Sequence, residues 1–372
     1  MLTVTSSSRE KQSLLWAFAL LIGATACADD DGPPETADAS SGGAEASGDG
    51  GPRRNPADGS PEASGEEVAP TPVERHGHLS VQGAELLDEH GAPIQLKGPS
   101  SMWLNWESTG YAQSEIGVRF MRDDWGATVI RAAMGIEPDN AYLASPERSL
   151  RDVTDVIDNA IALGLYVIID WHAHHAHEHQ AEAIEFFTQM ATTYGHTPNV
   201  IYEVYNEPLQ IDWNTILKPY HEAVVAAIRA VDPDNVIILG TPNWSQFVDV
   251  AAANPVEGDN LMYTLHFYSC THRERERMRG DRALAADLAL FVTEWGATHA
   301  DGGTPNNPQL CLDEAQLWHD WMNQHGISWT AWKFDDCEDM SCFFKPGTPR
   351  TGNWADDRLQ GHGAFVRDRM RE

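Results

Sequence analysis

Basic residues are scarce in this 372-residue chain: 25 Lys and Arg stand against 56 Asp and Glu, a formal net charge of −31. So acidic a surface repels phosphate backbones and anionic bilayers, which argues against nucleic acid and membrane surfaces as partners. Long apolar runs are missing beyond the amino-terminal segment, so no later stretch is expected to span a bilayer. Cysteine is sparse, five in all, and none has the Cys-x-x-Cys spacing of a zinc site, which disfavours thiolate metal ligation. What remains is a chain with 42% hydrophobic and 22% charged residues, long enough for one large domain or two smaller ones. Its aromatics lean to tryptophan, 13 Trp against 11 Phe and 9 Tyr. Exposed indoles suit ligands with flat apolar faces and polar rims, such as sugar rings, although any single Trp serves equally well as core packing.

The amino terminus reads as a targeting segment over residues 1–27. Arg9 and Lys11 supply a positive start, Leu14 to Ile22 a short apolar run, and Ala24-Thr25-Ala26 a small-residue site before Cys27. The run is too short for an anchor helix, so export is expected, with cleavage after Ala26 or lipidation of Cys27 as the alternatives. Residues 28–75 are Ala, Gly, Ser, Pro, Asp and Glu, twelve acids against three arginines, with almost no large apolar side chains. They are expected to form a disordered acidic tether that carries no chemistry. The four remaining cysteines, Cys270, Cys311, Cys337 and Cys342, permit three disulfide pairings in an exported protein. Cys337 and Cys342 are close enough to close a small loop, which would leave Cys270 with Cys311.

From about residue 78 strand and helix patterns alternate. Eight short apolar runs recur at 94–97, 128–132, 165–170, 200–205, 236–239, 262–266, 290–294 and 328–332. Most are continuously apolar, as buried parallel strands are. Between them lie helical faces such as Val153, Val156, Ile157, Ala160 and Ile161, stopped by Gly164, and Leu217, Tyr220, Val224, Val225 and Ile228, broken by Asp232-Pro233. Eight such repeats match an α/β fold with a single (β/α)8 TIM barrel over residues 76–372. The strand ends carry Arg131, His172, Asn206-Glu207, His266 with Tyr268, Glu294 and Trp332. In a barrel these ends share one face, so the residues are expected to converge on one pocket. Two glutamates among neutral hydrogen-bonding groups suit retaining glycoside hydrolysis, one as nucleophile and one as acid/base. The nucleophile must be ionised, which Arg and Tyr neighbours favour. The acid must be protonated, which burial and the negative partner favour.

The segment Ile201-Tyr202-Glu203-Val204-Tyr205-Asn206-Glu207-Pro208 resembles the Asn-Glu-Pro signature of glycoside hydrolase family 5. Supporting segments are Arg122-Asp123-Asp124-Trp125-Gly126, Arg131-Ala132-Ala133-Met134, Tyr166 through His172, Tyr263 through Tyr268, and Thr293-Glu294-Trp295-Gly296. Their order and spacing are similar to those of the bacterial β-1,4-glucanase branch from roughly Gly77 to Pro349. The resemblance implies Glu207 as acid/base and Glu294 as nucleophile, with Asn206 on the sugar 2-hydroxyl and Arg131 and Tyr268 orienting Glu294. It further implies His266 beside Glu207, His172 against the sugar next to cleavage, Trp332 as a stacking platform, Trp106 and Trp244 flanking the cleft, and Lys345 lining a distal subsite. No cofactor or metal is implied. An exported monomer acting on cellulose-type β-glucan is expected, with mannan, xyloglucan or mixed-linkage glucan as alternatives.

The chain departs from the branch at Met102, where His is usual, at Trp103 in place of Gly, at Gly135 where an aromatic is common, and at Tyr205 in place of a small residue. Met102, Trp103 and Gly135 border the non-reducing side of the cleft. Residues 172–179 hold five histidines, His172, His174, His175, His177 and His179. A metal-dependent TIM-barrel hydrolase is therefore a rival reading, and a glycan-binding protein on a dead scaffold is another. The simpler expectation is a polar surface loop whose first histidine alone faces the sugar.

Overall fold

Seven of the eight apolar runs become barrel strands close to where their pattern places them. The computed structural model describes residues 69–372. The segments read as signal peptide and most of the acidic tether lie outside the described residues. A short hairpin, β1 (Ser80–Gln82) and β2 (Glu85–Leu87), precedes the barrel. The barrel strands are β3 (Lys97–Ser101), β4 (Val129–Gly135), β5 (Tyr166–His172), β6 (Val200–Glu203), β7 (Ile237–Leu239), β8 (Leu261–Tyr268), β9 (Leu290–Gly296) and β10 (Ser328–Phe334). They pair in parallel in sequence order, and β10 closes the ring on β3.

The first strand is a correction. The apolar run at 94–97 ends where β3 begins, and the strand itself is Lys97-Gly98-Pro99-Ser100-Ser101, which has no β-branched or large apolar residue. Small side chains are needed there because β4 runs close alongside: a Cβ on Gly98 would lie 1.7 Å from the Val129 carbonyl oxygen. A second correction concerns the tether, whose last residues form the helix Pro72–His76. Thr71 caps it, accepting from the Glu74 amide while the Glu74 carboxylate accepts from the Thr71 amide. This reciprocal pair satisfies two otherwise free donors, so the ordered domain starts before residue 76.

The two helical faces form as their spacing predicts. Pro146–Ala162 buries Val153, Val156, Ile157 and Ala160 against the barrel, and Gly164 then adopts a positive φ of 65° to turn into β5. Lys218–Arg229 buries Tyr220, Val224, Val225 and Ile228. Inside the lower barrel Val129, Ile168, Ile201, Ile238, Met262 and Phe291 form an apolar plug, which Leu79 and Leu86 of the hairpin region join. The upper end is left to polar side chains. The disulfides are Cys270–Cys311 and Cys337–Cys342. The first ties the loop after β8 to the start of the helix Leu312–His325.

Candidate active site

Arg131, fully buried on β4, organises the upper end of the barrel. Its Nε donates to Glu203 at 2.7 Å, one Nη to Glu294 at 3.1 Å, and the other to the Asn206 side-chain oxygen at 2.7 Å. Asp170 lies 2.9 Å away as a third carboxylate. A planar fork with five donors is suited to such a site, and the surrounding carboxylates keep the guanidinium charged although burial opposes it. Burial alone would raise Glu203, but Arg131 and His266 hold its carboxyl down at about 2.

Glu294 is held at both oxygens. Arg131 donates to Oε2, and the Tyr268 hydroxyl donates to Oε1 at 2.6 Å. Burial and the Glu294 charge push the Tyr268 hydroxyl well above its ordinary range, so it remains a donor. Glu207 stands opposite, just beyond β6. His266 Nδ1 contacts its Oε1 at 3.0 Å, and His174 Nε2 contacts its Oε2 at 3.2 Å. Burial favours the neutral carboxyl, but these two imidazoles outweigh it and hold Glu207 below the usual carboxylate range. Burial and a negative partner favour the protonated acid, as expected, and the two imidazoles act against them. His266 correspondingly rises to about 9 despite its burial, through Glu203 and Glu207.

Asn206 is fixed by partners of opposite kind. Its oxygen accepts from Arg131, and its amide nitrogen lies 3.3 Å from His172 Nε2. His172 Nδ1 is 2.6 Å from Asp170. This pattern assigns the neutral ring with the proton on Nδ1, and burial together with Arg131 depresses its pKa to about 3. Trp332, at the end of β10, stacks on His172 with centroids 5.5 Å apart and planes at 10°. Trp244 sits in a turn bonded directly to the residues around Glu207: its amide donates to the Pro208 carbonyl at 2.7 Å, and that of Asn243 to Leu209 at 2.9 Å. Asn243, Trp244 and Ser245 all have positive φ, a conformation that costs energy in non-glycine residues and that leaves the indole 37% exposed. That indole and Glu207, His266, Tyr268, Asn243 and Gln246 line a pocket of about 460 Å³.

Trp106 is exposed and stacks on Trp103 at 4.8 Å. Trp103 also meets His172 edge-on at 4.3 Å. Gly135 explains how this indole fits: a Cβ there would lie 2.1 Å from the Asn105 side-chain oxygen and 2.9 Å from the Trp103 ring. The glycine at 135 is thus what admits the indole at 103. Gly135→Ala is expected to destabilise the fold by about 1–3 kcal/mol through overpacking. Urea denaturation checks it, and an unchanged midpoint would show that the Trp103–Asn105 segment yields freely. Lys345 is not drawn into this cluster; its ammonium donates to the Asp357 carbonyl at 2.7 Å on its own surface loop.

Asp170, Glu203 and Thr293 belong to the site without having been singled out, and His174 joins it although it was read only as part of the histidine tract. The first two had a legible signal, since a carboxylate inside a buried apolar strand demands a cation and Arg131 is the one nearby. Thr293 had none: its hydroxyl donates to Glu203 at 2.7 Å and lies 2.9 Å from His266 Nε2. The residues of the histidine tract turn to different partners. His174 turns to Glu207, His177 to the Tyr205 hydroxyl, and the His175 amide to Glu137. The expectation that His172 alone faces the cleft is therefore corrected.

The pattern of the cellulase family, glycosyl hydrolase family 5, matches residues 87–338. The chain belongs to glycoside hydrolase family 5. Among its relatives is an endoglucanase of Clostridium saccharobutylicum, 42% identical over 295 residues that cover 78% of this chain and 64% of that protein. The chain thus spans just under two thirds of that relative's length. A solved structure from Cytophaga hutchinsonii is similar at 44% identity and a TM-score of 0.77, covering 81% of this chain and 97% of the other. The catalytic domain of a Thermobifida fusca endoglucanase is similar at 34% identity and a TM-score of 0.76, covering 82% and 100%. Within this family-5 barrel, the cluster just described lies where the strand ends open, as ligand sites of (β/α)8 barrels do.

Proposed function

We propose that the protein is a retaining endo-β-1,4-glucanase that cleaves internal bonds of cellulose-type polysaccharides by double displacement. The observation that carries the reading is a distance: Glu207 and Glu294 each bring a carboxylate oxygen, and His266 a ring nitrogen, within 4.8 Å of one another. Carboxyl groups about 5 Å apart suit a covalent glycosyl intermediate, whereas inversion needs roughly 6.5–9.5 Å to admit a water. The endoglucanase relatives support the same reading.

In this reading Glu294 attacks the anomeric carbon, aimed by the hydrogen bonds of Arg131 and Tyr268 to its two oxygens. The proton for the leaving oxygen comes from the Glu207 carboxyl, which His266 and His174 hold at its two oxygens. It returns by the same route when water, deprotonated by Glu207, releases the sugar from Glu294. Asn206, its amide oriented by Arg131 and His172, is assigned to the 2-hydroxyl, and Trp332 to the sugar's apolar face. Trp106 and Trp244 serve sugars on either side, and Lys345 a distal one. We further propose an exported monomer, held on its acidic tether or through a lipid on Cys27.

Reducing-sugar release by the full chain tests the reading on carboxymethyl cellulose, barley β-glucan, glucomannan, galactomannan, xyloglucan and xylan, with and without EDTA. Release from the β-1,4-glucans, indifferent to EDTA, is expected. Silence on those glucans, or loss of activity with EDTA, would overturn it.

A further inference from the structure

The histidine tract is the motif that the two-carboxylate reading leaves unused, and the structure ties it to the acid/base. Glu137 accepts from the His174 amide at 3.0 and 3.2 Å and from the His175 amide at 2.6 Å. The Tyr205 hydroxyl donates to the His174 carbonyl at 2.7 Å and lies 2.9 Å from His177 Nδ1. Trp103 stacks on the His174 ring with centroids 6.0 Å apart and planes at 24°. Backbone amides, carbonyl and ring face are all held, and the one ring nitrogen directed into the cleft meets Glu207 Oε2 at 3.2 Å. Tyr205 and Trp103 thus hold the carbonyl and the ring face of His174, and Gly135 makes the room for the indole.

We propose that His174 is a positioning residue for Glu207, a second imidazole that fixes the carboxyl oxygen His266 does not reach. The inference rests on Glu207 being the acid/base. A glutamate with one partner rotates about its terminal bond; one held at both oxygens presents a fixed edge to the glycosidic oxygen. The charged and titratable groups facing His174 are Glu207, Glu137, Glu294 and His172, three acids and one neutral ring, and the acids favour its protonated, donating form although burial opposes it. Tyr205 and His177 form the outer support of the same clamp.

Leaving-group dependence separates this role from a structural one. A phenyl β-cellobioside needs proton donation to depart, whereas a 2,4-dinitrophenyl β-cellobioside does not, and kcat/KM reports the first, bond-breaking step for both. Glu207→Ala is expected to lose about 10²–10⁴-fold on the phenyl substrate and little on the activated one. His174→Leu is expected to lose roughly tenfold or more on the phenyl substrate, again sparing the activated one, while unfolding at the wild-type temperature. His174→Gln, whose amide nitrogen falls near the place of Nε2, is expected to restore most of that loss. Equal kcat/KM for wild type and His174→Leu, a parallel fall on both substrates, or a Gln variant as slow as Leu would each overturn the proposal. Should Glu207→Ala itself treat the two substrates alike, the acid/base assignment fails instead, and the two failures are told apart in one experiment.

Discussion

Glu294→Gln is expected to abolish turnover, with kcat falling on the order of 10⁵–10⁶-fold, the scale of losing a covalent nucleophile. The substitution keeps the side chain's shape but removes its attacking charge. Tyr268 at 2.6 Å and Arg131 at 3.1 Å now address the two carboxylate oxygens. A glutamine offers one acceptor to this pair of donors, so it cannot satisfy both, and its NH2 faces a donor. The loss should be equal on activated and poor aryl cellobiosides, since leaving-group quality cannot replace a missing nucleophile. Glycan binding, measured by calorimetry with cello-oligosaccharides, should persist because the aromatic platforms and Asn206 are untouched. A variant that turned over dinitrophenyl cellobioside at near wild-type rate would remove Glu294 from the nucleophile's role.

Arg131→Met should be the most destabilising single change in the upper barrel. Arg131 and its partners Asp170 and Glu203 are completely buried, and Glu294 is nearly so. Taking away the cation leaves the Glu203 carboxylate uncompensated in low dielectric beside Asp170 and Glu294, a cost of about 3–5 kcal/mol. The deficit should depend on pH with a definite sign. Glu203 has a folded pKa held down at about 2, against an ordinary value of 4.5. Its stabilisation by Arg131 is complete above about pH 4.5 and lost as pH falls through 2. Wild type and variant should therefore differ most near neutrality and converge in acid, as urea titrations across that range would show. A constant difference at every pH would mean that shape, not charge, sets the role of Arg131.

How much of this was legible follows from how each residue announces itself. Long apolar runs announce buried strands, and a polar residue where such a run ends announces a site, so Arg131, His172, Asn206, Glu207, His266 and Glu294 were all readable. The strand Lys97–Ser101 was not, because its signal is smallness rather than apolarity, and only the approach of Val129 explains it. Asp170 and Glu203 interrupt apolar runs, but their meaning lies in a cation 39 and 72 positions away in the chain. His174 was hidden among its neighbours. Five histidines in a row of eight look alike, and only the anchors Glu137 and Tyr205 decide which one turns inward. Trp103 and Gly135 were each visible as oddities, but not that one makes room for the other.

The hairpin and the helix Pro72–His76 carry a consequence for how the molecule is presented. The Val73 amide is bonded to Gly164, and the Gly77 carbonyl to Tyr166, at the root of β5. The described chain therefore enters at the pole opposite the one where Glu207 and Glu294 stand. A label placed on Pro72–His76 would stand across the full height of the barrel from the two glutamates and leave their side uncovered.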